Sequence, residues 1–167
     1  YLVYMKYSYV FPIHIGSLIH QYRNLIRMSY LNEVKKHGQK ANPFFCLMGI
    51  EPVSFGDGKA RLSMVIRDDM KNGEGWLQGG MYTALGDEAI ALAIYTLLSD
   101  KETIATVSCT THFIRGAREG TIIADGTVVR KGRTMIYAEA TLTDADEENL
   151  LARCTASFII RSGTIRG

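Results

Sequence analysis

The sequence has few cysteines, and its cysteines and histidines form no cluster. The three cysteines, Cys46, Cys109 and Cys154, include no C-x-x-C pair, and the four histidines stand apart at spacings that match no zinc motif. An odd number of scattered cysteines is typical of a reducing compartment. We therefore expect a cytoplasmic protein with no metal site built from protein ligands.

The chain also lacks an excess of charge of one sign. Its formal net charge is +2 at pH 7, and the basic residues are spread along the whole sequence. A surface that binds nucleic acid normally shows a basic stripe with interleaved aromatic residues. The sequence therefore argues against nucleic acid as a partner.

The N-terminal stretch is apolar but lacks the features of a signal peptide or a membrane span. In YLVYMKYSYVFPIHIGSLIHQ the apolar run is interrupted by Pro12, His14 and Gly16, with no basic segment before it and no small-residue cleavage pattern after it. It is also too short to span a bilayer, so we expect no membrane association. Met28 is a natural start residue. Residues 1–27 are therefore either part of the native protein or sequence upstream of its start.

What the sequence does contain is the composition of one globular domain. With 167 residues, 47% of them hydrophobic and 22% charged, the chain can bury roughly two-thirds of its unfolded surface. Apolar residues recur at helical spacing from Ser17 to about Lys36, which predicts an amphipathic helix. The segment from Gln78 to about Leu98 is apolar nearly all round, which predicts a buried helix.

Strand patterns occupy much of the remaining sequence. Apolar and polar residues alternate from Ala60 to Arg67, which predicts a strand with one wet face. Four further runs are joined by short turns typical of antiparallel neighbours, and they cover residues 103–113, 121–130, 133–143 and 151–161. This order predicts an α+β fold in which an antiparallel sheet wraps around one long central helix. We expect an N-terminal extension with the amphipathic helix over residues 1–41, and one domain over residues 42–167.

The candidate chemistry lies where a glycine-rich loop enters the central helix, in NGEGWLQGGMYTALGDEAIALA, residues 72–93. The first turn of a helix carries backbone N–H groups without internal partners, and a glycine lets a ligand oxygen approach them. Gly79 is therefore a candidate donor to an oxyanion. Alternatively, Gly79 and Gly80 only end the loop or allow close packing of the helix on a sheet.

Asp87 and Glu88 are the acids that break the apolar surface of this helix. A buried carboxylate is costly unless it is hydrogen-bonded, so burial would favour a functional role. Asp87 lies 87 − 79 = 8 residues beyond Gly79, about 12 Å along the helix axis. If the two act on one carbonyl, the acid comes from a second subunit, and a two-fold dimer has two equivalent sites. Alternatively, Asp87 faces solvent or is hydrogen-bonded by Thr83, and Glu88 is the competing acid.

These motifs resemble those of a known enzyme family. N-x6-GG followed by L-x-D in an Ala-rich helix, with NPFFCLMGI before it and TVSCTTHFIRGAREG and RKGRTMIYAEATL after it, is similar to the hotdog-fold acyl-CoA thioesterases, most of all to their phenylacetyl-CoA thioesterase-like branch. The resemblance extends over residues 42–160. It implies hydrolysis of an acyl-CoA thioester to a carboxylic acid and CoA, no cofactor besides the CoA of the substrate, and a homodimer or a dimer of dimers.

The resemblance also implies roles for individual residues. Asn72 polarises the thioester carbonyl or positions the substrate, and the Gly79 amide is the backbone contact to the oxyanion. Asp87 is the nucleophile or the general base, and Thr106 orients the attacking water. Gln78 stands where the family usually has histidine; it can donate a hydrogen bond but cannot exchange protons near neutral pH.

Further residues are candidates for substrate binding. Arg130, Lys131 and Arg133 match the region where the family binds the phosphates of CoA, although a solvated hairpin tip explains the same charges. The remaining candidate contacts are Gln78 and Gly80 in the loop, and Phe44, Phe45 and Trp76 along an apolar acyl slot beside the helix.

Two other functions remain open at this point. A hydroxyacyl dehydratase of the same fold requires a catalytic histidine, and the His-Phe-Pro signature of that branch is absent. A non-catalytic acyl-CoA-binding module has no need of Asn72, Asp87 and Thr106, so their presence favours the enzyme.

Overall fold

The structure, a computed structural model, describes residues 30–162. Its helices and strands are, in chain order, α1 (Tyr30–His37), α2 (Pro43–Met48), β1 (Ile50–Gly56), β2 (Lys59–Val65), α3 (Gly79–Tyr95), β3 (Glu102–Phe113), β4 (Thr121–Lys131), β5 (Met135–Asp144) and β6 (Leu150–Ser162). The helix predicted from Ser17 to Lys36 is present as α1, and its residues 17–29 lie outside the described residues, as do residues 1–27 of the proposed extension. Within residues 30–162 no helix is long and apolar enough to cross a membrane.

The six strands form one antiparallel sheet in the order β1-β2-β4-β5-β6-β3. The central helix α3 lies across one face of this sheet and contacts all six strands. This confirms the predicted α+β architecture. Because β3 follows α3 in sequence but pairs only with β6, it forms one edge of the sheet.

Two glycines let α3 approach the sheet closely. A Cβ atom at Gly86 would collide with the Cys154 thiol on β6, and one at Gly126 on β4 would collide with the backbone of Ala89 in the helix. Next to these contacts the helix buries Leu85 and Ile90 completely. Burial of such side chains supplies the main driving force for this packing.

The sequence pattern missed α2 and β1. Helix α2 begins at Asn42, whose Oδ1 accepts a hydrogen bond from the Phe44 N–H at 2.9 Å, with Pro43 in the first turn. It ends at Gly49, which adopts a left-handed conformation with φ of 70°. β1 then pairs with β2 across a two-residue turn at Asp57 and Gly58. Both the Asn-Pro cap and the Asp-Gly turn are visible in the sequence, so these elements were predictable.

α1 packs on the domain it precedes. Val34 on α1 is buried and belongs to the same hydrophobic core as the sheet and α3. Residues within 30–41 contribute to this core. The domain boundary proposed between residues 41 and 42 stays a prediction.

Candidate active site

Asp87 lies on the face of α3 that packs against the edge of the sheet. Its carboxylate is near the thiols of Cys109 on β3 and Cys154 on β6; burial and then the charge of Asp87 raise the pKa of both thiols, that of Cys109 to about 11. Burial likewise raises the pKa of Asp87 itself. Its Oδ1 atom is buried and has no hydrogen-bond partner in the described part of the chain. Such an unpaired carboxylate oxygen is rare in stable folds because it is costly.

The alternative partner for Asp87, Thr83 one turn earlier, is engaged elsewhere. The Thr83 hydroxyl donates a hydrogen bond to Oγ1 of Thr111 on β3 at 2.9 Å. The interpretation of Asp87 as a carboxylate held by Thr83 is therefore wrong. Because the fold leaves Oδ1 of Asp87 without a donor, a ligand or a water molecule is the remaining candidate partner.

The side chain of Asn72 is held in one orientation by its own loop. Its Oδ1 accepts hydrogen bonds from the backbone N–H groups of Glu74 at 3.0 Å and Trp76 at 3.1 Å. Two N–H donors require an acceptor, which assigns the oxygen and nitrogen of the amide. The Nδ2 group is therefore left to donate a hydrogen bond, as a contact to a thioester carbonyl requires.

Gly79 and Gly80 open α3, and the fold of the described chain gives no reason for glycine at either position. No side chain caps this end of the helix, where Gln78 is the exposed N-cap residue. A Cβ atom at Gly79 would lie 3.4 Å from the Phe113 ring, an ordinary contact, and one at Gly80 would meet nothing within 4 Å. Neither residue has a positive φ. Packing within the described chain therefore does not explain the two glycines.

A bulge in β3 turns Thr106 toward the helix side of the sheet. Thr106 pairs with Phe158 and Cys109 pairs with Ala156, so Val107 is an extra residue in the ladder. Paired residues share a face, and Phe158 and Ala156 are both buried beneath α3. Without the bulge, strict alternation would place Thr106 on the opposite face from Cys109. The exposed Thr106 hydroxyl makes no hydrogen bond to Asp87 within the described chain.

The edge strand β3 carries exposed apolar side chains. Val107, Phe113 and Ile114 at and just beyond this strand are 59%, 60% and 53% exposed. A long strand with unpaired backbone groups and apolar side chains on one edge is a template for pairing with another chain. Thr106 and Cys109 lie on this same edge strand.

The three residues predicted to line an acyl slot are not all at the surface. Phe45 is completely buried in the core, so its assignment to an open slot is corrected to a packing role. Phe44 is partly buried against the same core. Trp76 is 37% exposed and lies under the guanidinium of Arg118, at 4.0 Å from the ring centroid, a cation–π contact that the sequence did not indicate.

The three predicted basic residues differ in their environment. Arg130 and Arg133 are exposed. Lys131 is exposed as well, and it donates a hydrogen bond to the Leu97 carbonyl just beyond the end of α3, where a cation interacts favourably with the helix dipole. Lys131 therefore has a structural contact, while the two arginines remain available to a ligand.

Glu88, the competing acid, faces a different part of the chain from Asp87. Asn42 Nδ2 lies 3.5 Å from its Oε2, and Tyr30 and Tyr95 line the same cavity. Sequence reasoning missed these three residues around Glu88, since only the packing of α1 on α3 brings them together. Within residues 30–162 no group of three or more His, Cys, Asp or Glu side chains could hold a metal ion.

Comparisons with known proteins identify the family of the chain. The family model of the Thioesterase superfamily matches residues 74–150. A Halobacterium salinarum protein with a provisional esterase name is 34% identical over 105 residues, which are 59% of this chain and 69% of that protein. The 1,4-dihydroxy-2-naphthoyl-CoA hydrolase of Listeria monocytogenes is 24% identical over 65% of this chain and 89% of its own length.

Solved structures share the fold. A thioesterase family protein from Silicibacter pomeroyi superposes with a TM-score of 0.72 at 24% identity, covering 81% of this chain and all (100%) of that one. The E. coli PaaI protein from the phenylacetic acid degradation operon superposes with a TM-score of 0.67 at 22% identity, covering 75% and 88%. The sheet wrapped around α3 and these structural neighbours show the hotdog fold. Together with the sequence matches, they show that the chain belongs to the Thioesterase superfamily and has the hotdog fold.

Proposed function

We propose that the protein hydrolyses an acyl-CoA thioester to a carboxylic acid and CoA. The observation that carries the proposal is the buried Oδ1 of Asp87, which has no partner in the described chain and whose carboxyl has a raised pKa. A carboxylate with a raised pKa is a better base near neutral pH. The choice of a CoA thioester is supported by the Listeria relative, whose name is that of a CoA-thioester hydrolase.

In the proposed reaction the thioester carbonyl oxygen accepts hydrogen bonds from the Asn72 Nδ2 and the Gly79 N–H. Asp87 takes a proton from water, whose oxygen attacks the carbonyl carbon, or the carboxylate attacks that carbon directly. Thr106 holds the water. The C–S bond then breaks, the electron pair goes to sulfur, and the proton completes the free thiol of CoA. On the direct route the acyl group remains on Asp87 as a mixed anhydride, which water cleaves to the carboxylic acid while a proton of that water completes the thiol. No cofactor besides the CoA of the substrate is needed.

The proposal requires a second copy of the chain. Gly79 and Asp87 are 87 − 79 = 8 residues apart in one straight helix, about 12 Å. A two-fold partner meeting this chain at the β3 edge would bring the start of its own α3 toward Asp87. The exposed Val107 and Phe113 on that edge would be covered by the same contact. A dimer of such dimers and a cytoplasmic location remain predictions.

The direct test is release of free thiol from a panel of acyl-CoAs in the steady state. A thioesterase releases CoA with at least one acyl group at many times the uncatalysed rate. A module that only binds acyl-CoA shows saturable binding of the same compounds without thiol release. The panel also tests whether phenylacetyl-CoA is preferred, as the resemblance to that branch implies.

Asn72→Asp is expected to lower kcat by about 100-fold or more, the scale for loss of one oxyanion donor. The new carboxylate can still accept the N–H groups of Glu74 and Trp76, so the loop is retained, but it cannot donate to the carbonyl oxygen and repels its developing charge. Comparing the kinetics of Asn72→Asp with those of Asn72→Ala separates the loss of the hydrogen-bond donor from the repulsion of the developing charge. A fully active Asn72→Asp would remove this residue from the oxyanion site.

Replacing Arg130 and Arg133 together by alanine is expected to raise KM for acyl-CoA several-fold with little change in kcat, because these exposed arginines are proposed to bind phosphate rather than to act in the chemistry. Lys131 is left in place because of its contact to Leu97. A pantetheine thioester without the nucleotide phosphates provides the control substrate. Equal losses with both substrates would contradict phosphate binding at this hairpin.

A further inference from the structure

The loop that carries Asn72 is bonded to a second loop, residues 114–120, which connects β3 to β4. The Leu77 N–H donates a hydrogen bond to the Ala117 carbonyl at 2.9 Å. The Ala117 N–H in turn donates to the hydroxyl of Tyr82 on α3 at 2.9 Å. One residue of the β3–β4 loop therefore bonds both the Asn72 loop and the central helix.

The β3–β4 loop is itself fastened to the sheet at both ends. At its start the N–H groups of Ile114 and Arg115 both donate to the Leu151 carbonyl on β6, at 2.9 and 3.1 Å. At its end the Gly120 carbonyl accepts a hydrogen bond from the Ile66 N–H at 2.9 Å. The middle of this loop is therefore a fixed support for the groups that pack on it.

Trp76, the only tryptophan in the sequence, packs on this support. A Cβ atom at Gly116 would lie 2.9 Å from Cε3 of the Trp76 ring, so the ring is closer to this backbone than a side chain there would permit. Gly116 has no positive φ, so its backbone conformation does not require glycine. The Arg118 guanidinium lies 4.0 Å from the ring centroid, a cation–π contact. Gly116 and Arg118 thus hold the indole ring, and the reaction proposed above uses neither of them.

The backbone of Trp76 is bonded twice to Asn72. Its carbonyl accepts a hydrogen bond from the Asn72 N–H at 2.8 Å, and its N–H donates to Asn72 Oδ1 at 3.1 Å. The second bond is one of the two that orient the amide and leave Nδ2 to donate. A displacement of Trp76 therefore displaces the Asn72 amide.

Two donors stabilise one oxyanion only if they are held at a fixed distance from each other. Asn72 lies in the loop and Gly79 lies at the start of α3, so their relative position depends on how the loop is fixed to the helix. The groups of an active site must be held within about 0.5 Å of the productive geometry. A misplacement of about 1 Å can cost ~100-fold in rate.

We propose that Trp76 is a positioning residue for the oxyanion site. Gly116 and Arg118 fix its ring, and its backbone fixes the Asn72 amide. The inference rests on the proposed thioester hydrolysis and adds three residues that act on it without contact to the substrate. It competes with the prediction that Trp76 forms a wall of the acyl slot. A wall residue alters the discrimination between acyl groups, whereas a positioning residue lowers kcat equally for all of them.

The first test is a double-mutant cycle of Trp76 with Asn72, measured by steady-state thiol release. Trp76→Leu is expected to lower kcat by ~10-fold or more with every acyl-CoA that the wild type hydrolyses. In the Asn72→Ala background the same substitution should cost less than ~3-fold, because the group that Trp76 positions is absent. Losses that multiply in the double variant, a loss that differs between acyl groups, or no loss at all would overturn the positioning role.

Substitutions in the β3–β4 loop test the support while Trp76 stays in place. Gly116→Ala puts a methyl group against the ring and is expected to lower kcat by ~10-fold. Arg118→Ala should lower it by ~2-fold to ~5-fold, the scale of an exposed cation–π contact, and Arg118→Lys should retain most of the activity. The controls are Gly56→Ala, where a Cβ atom meets nothing within 4 Å, and Arg153→Ala at an exposed strand position. Both controls should leave kcat unchanged.

The fluorescence of Trp76 reports the state of the ring directly, because the sequence has no other tryptophan. Anisotropy decay and acrylamide quenching should show a more mobile and more accessible indole in Gly116→Ala and Arg118→Ala than in the wild type, and no change in Gly56→Ala. Unchanged fluorescence with a lowered kcat, or altered fluorescence with an unchanged kcat, would each overturn the ring as the link to Asn72. Should Trp76→Leu not fold, these loop variants decide.

The outcomes separate this inference from the function on which it rests. A wild type that hydrolyses acyl-CoAs while the loss in Trp76→Leu is independent of Asn72 overturns the positioning role and leaves the thioesterase intact. No thiol release from any acyl-CoA by the wild type overturns the proposed function itself, and this inference with it.

Discussion

Asp87→Asn is expected to lower kcat by at least ~100-fold with every acyl-CoA that the wild type hydrolyses, because asparagine keeps the shape of the side chain but cannot accept the proton of water. The substitution should not lower the stability of the folded protein. Burial raises the pKa of Asp87, so the charged form opposes folding at neutral pH, and a neutral amide removes that cost. Steady-state thiol release, thermal unfolding and the size of the oligomer together check this expectation.

Glu88→Gln is the matched comparison for Asp87→Asn. It should leave kcat within a few-fold, since Glu88 faces the cavity beside α1 rather than the edge strand β3. If Glu88→Gln abolished turnover while Asp87→Asn remained active, the catalytic carboxylate would be Glu88. Loss of activity in both variants with intact folding would mean that the pair acts together.

Co-expression of an Asn72→Ala chain with an Asp87→Asn chain is expected to restore activity that neither variant has alone. In the mixed dimer one site combines the intact Asn72 of one chain with the intact Asp87 of the other, and the second site carries both substitutions. Random pairing makes half of the dimers mixed, so about a quarter of the wild-type activity should return. Differently tagged chains and two-step purification isolate the mixed dimer for the measurement.

The control for this experiment is a mixture of the two variants purified separately and not allowed to exchange subunits. It should stay as inactive as each parent. Mixed dimers that are equally inactive would show that Asn72 and Asp87 act within one chain or in different steps. Because Gly79 and Asp87 lie at fixed positions in one straight helix, a site within one chain would then require the substrate carbonyl to contact only one of them.

How far the sequence predicts this fold depends on how local the signal is. The central helix was predicted because its apolar surface is nearly continuous, and the four later strands were predicted within about two residues at each end because short turns separate them. The observed β3, at Glu102–Phe113, begins one residue before the predicted run. α2 and β1 were missed although the Asn42 cap and the Asp57-Gly58 turn mark them, since each element is short and its hydrophobic period is weak.

For the candidate site, too, local spacing predicts some features and the tertiary structure decides the others. The sequence alone determined that a glycine pair opens a buried helix and that two adjacent acids interrupt it, because both are matters of spacing along one helix. Only the tertiary structure distinguished the acids: Asp87 lies beside the thiols of Cys109 and Cys154 with an unpartnered oxygen, while Glu88 faces Tyr30 and Asn42. Their environments come from strands and turns distant in sequence, which no local pattern specifies.

The orientation of two other site residues was likewise decided by the folded chain. The period of two along β3 predicts that Thr106 and Cys109 face opposite sides of the sheet, and the bulge at Val107 places them on the same side. The Asn72 amide is oriented by two backbone N–H groups that meet its oxygen only once the loop has closed. The sequence thus determined which chemical groups are present and on which elements, and the ladder register and loop closure decided where each group points.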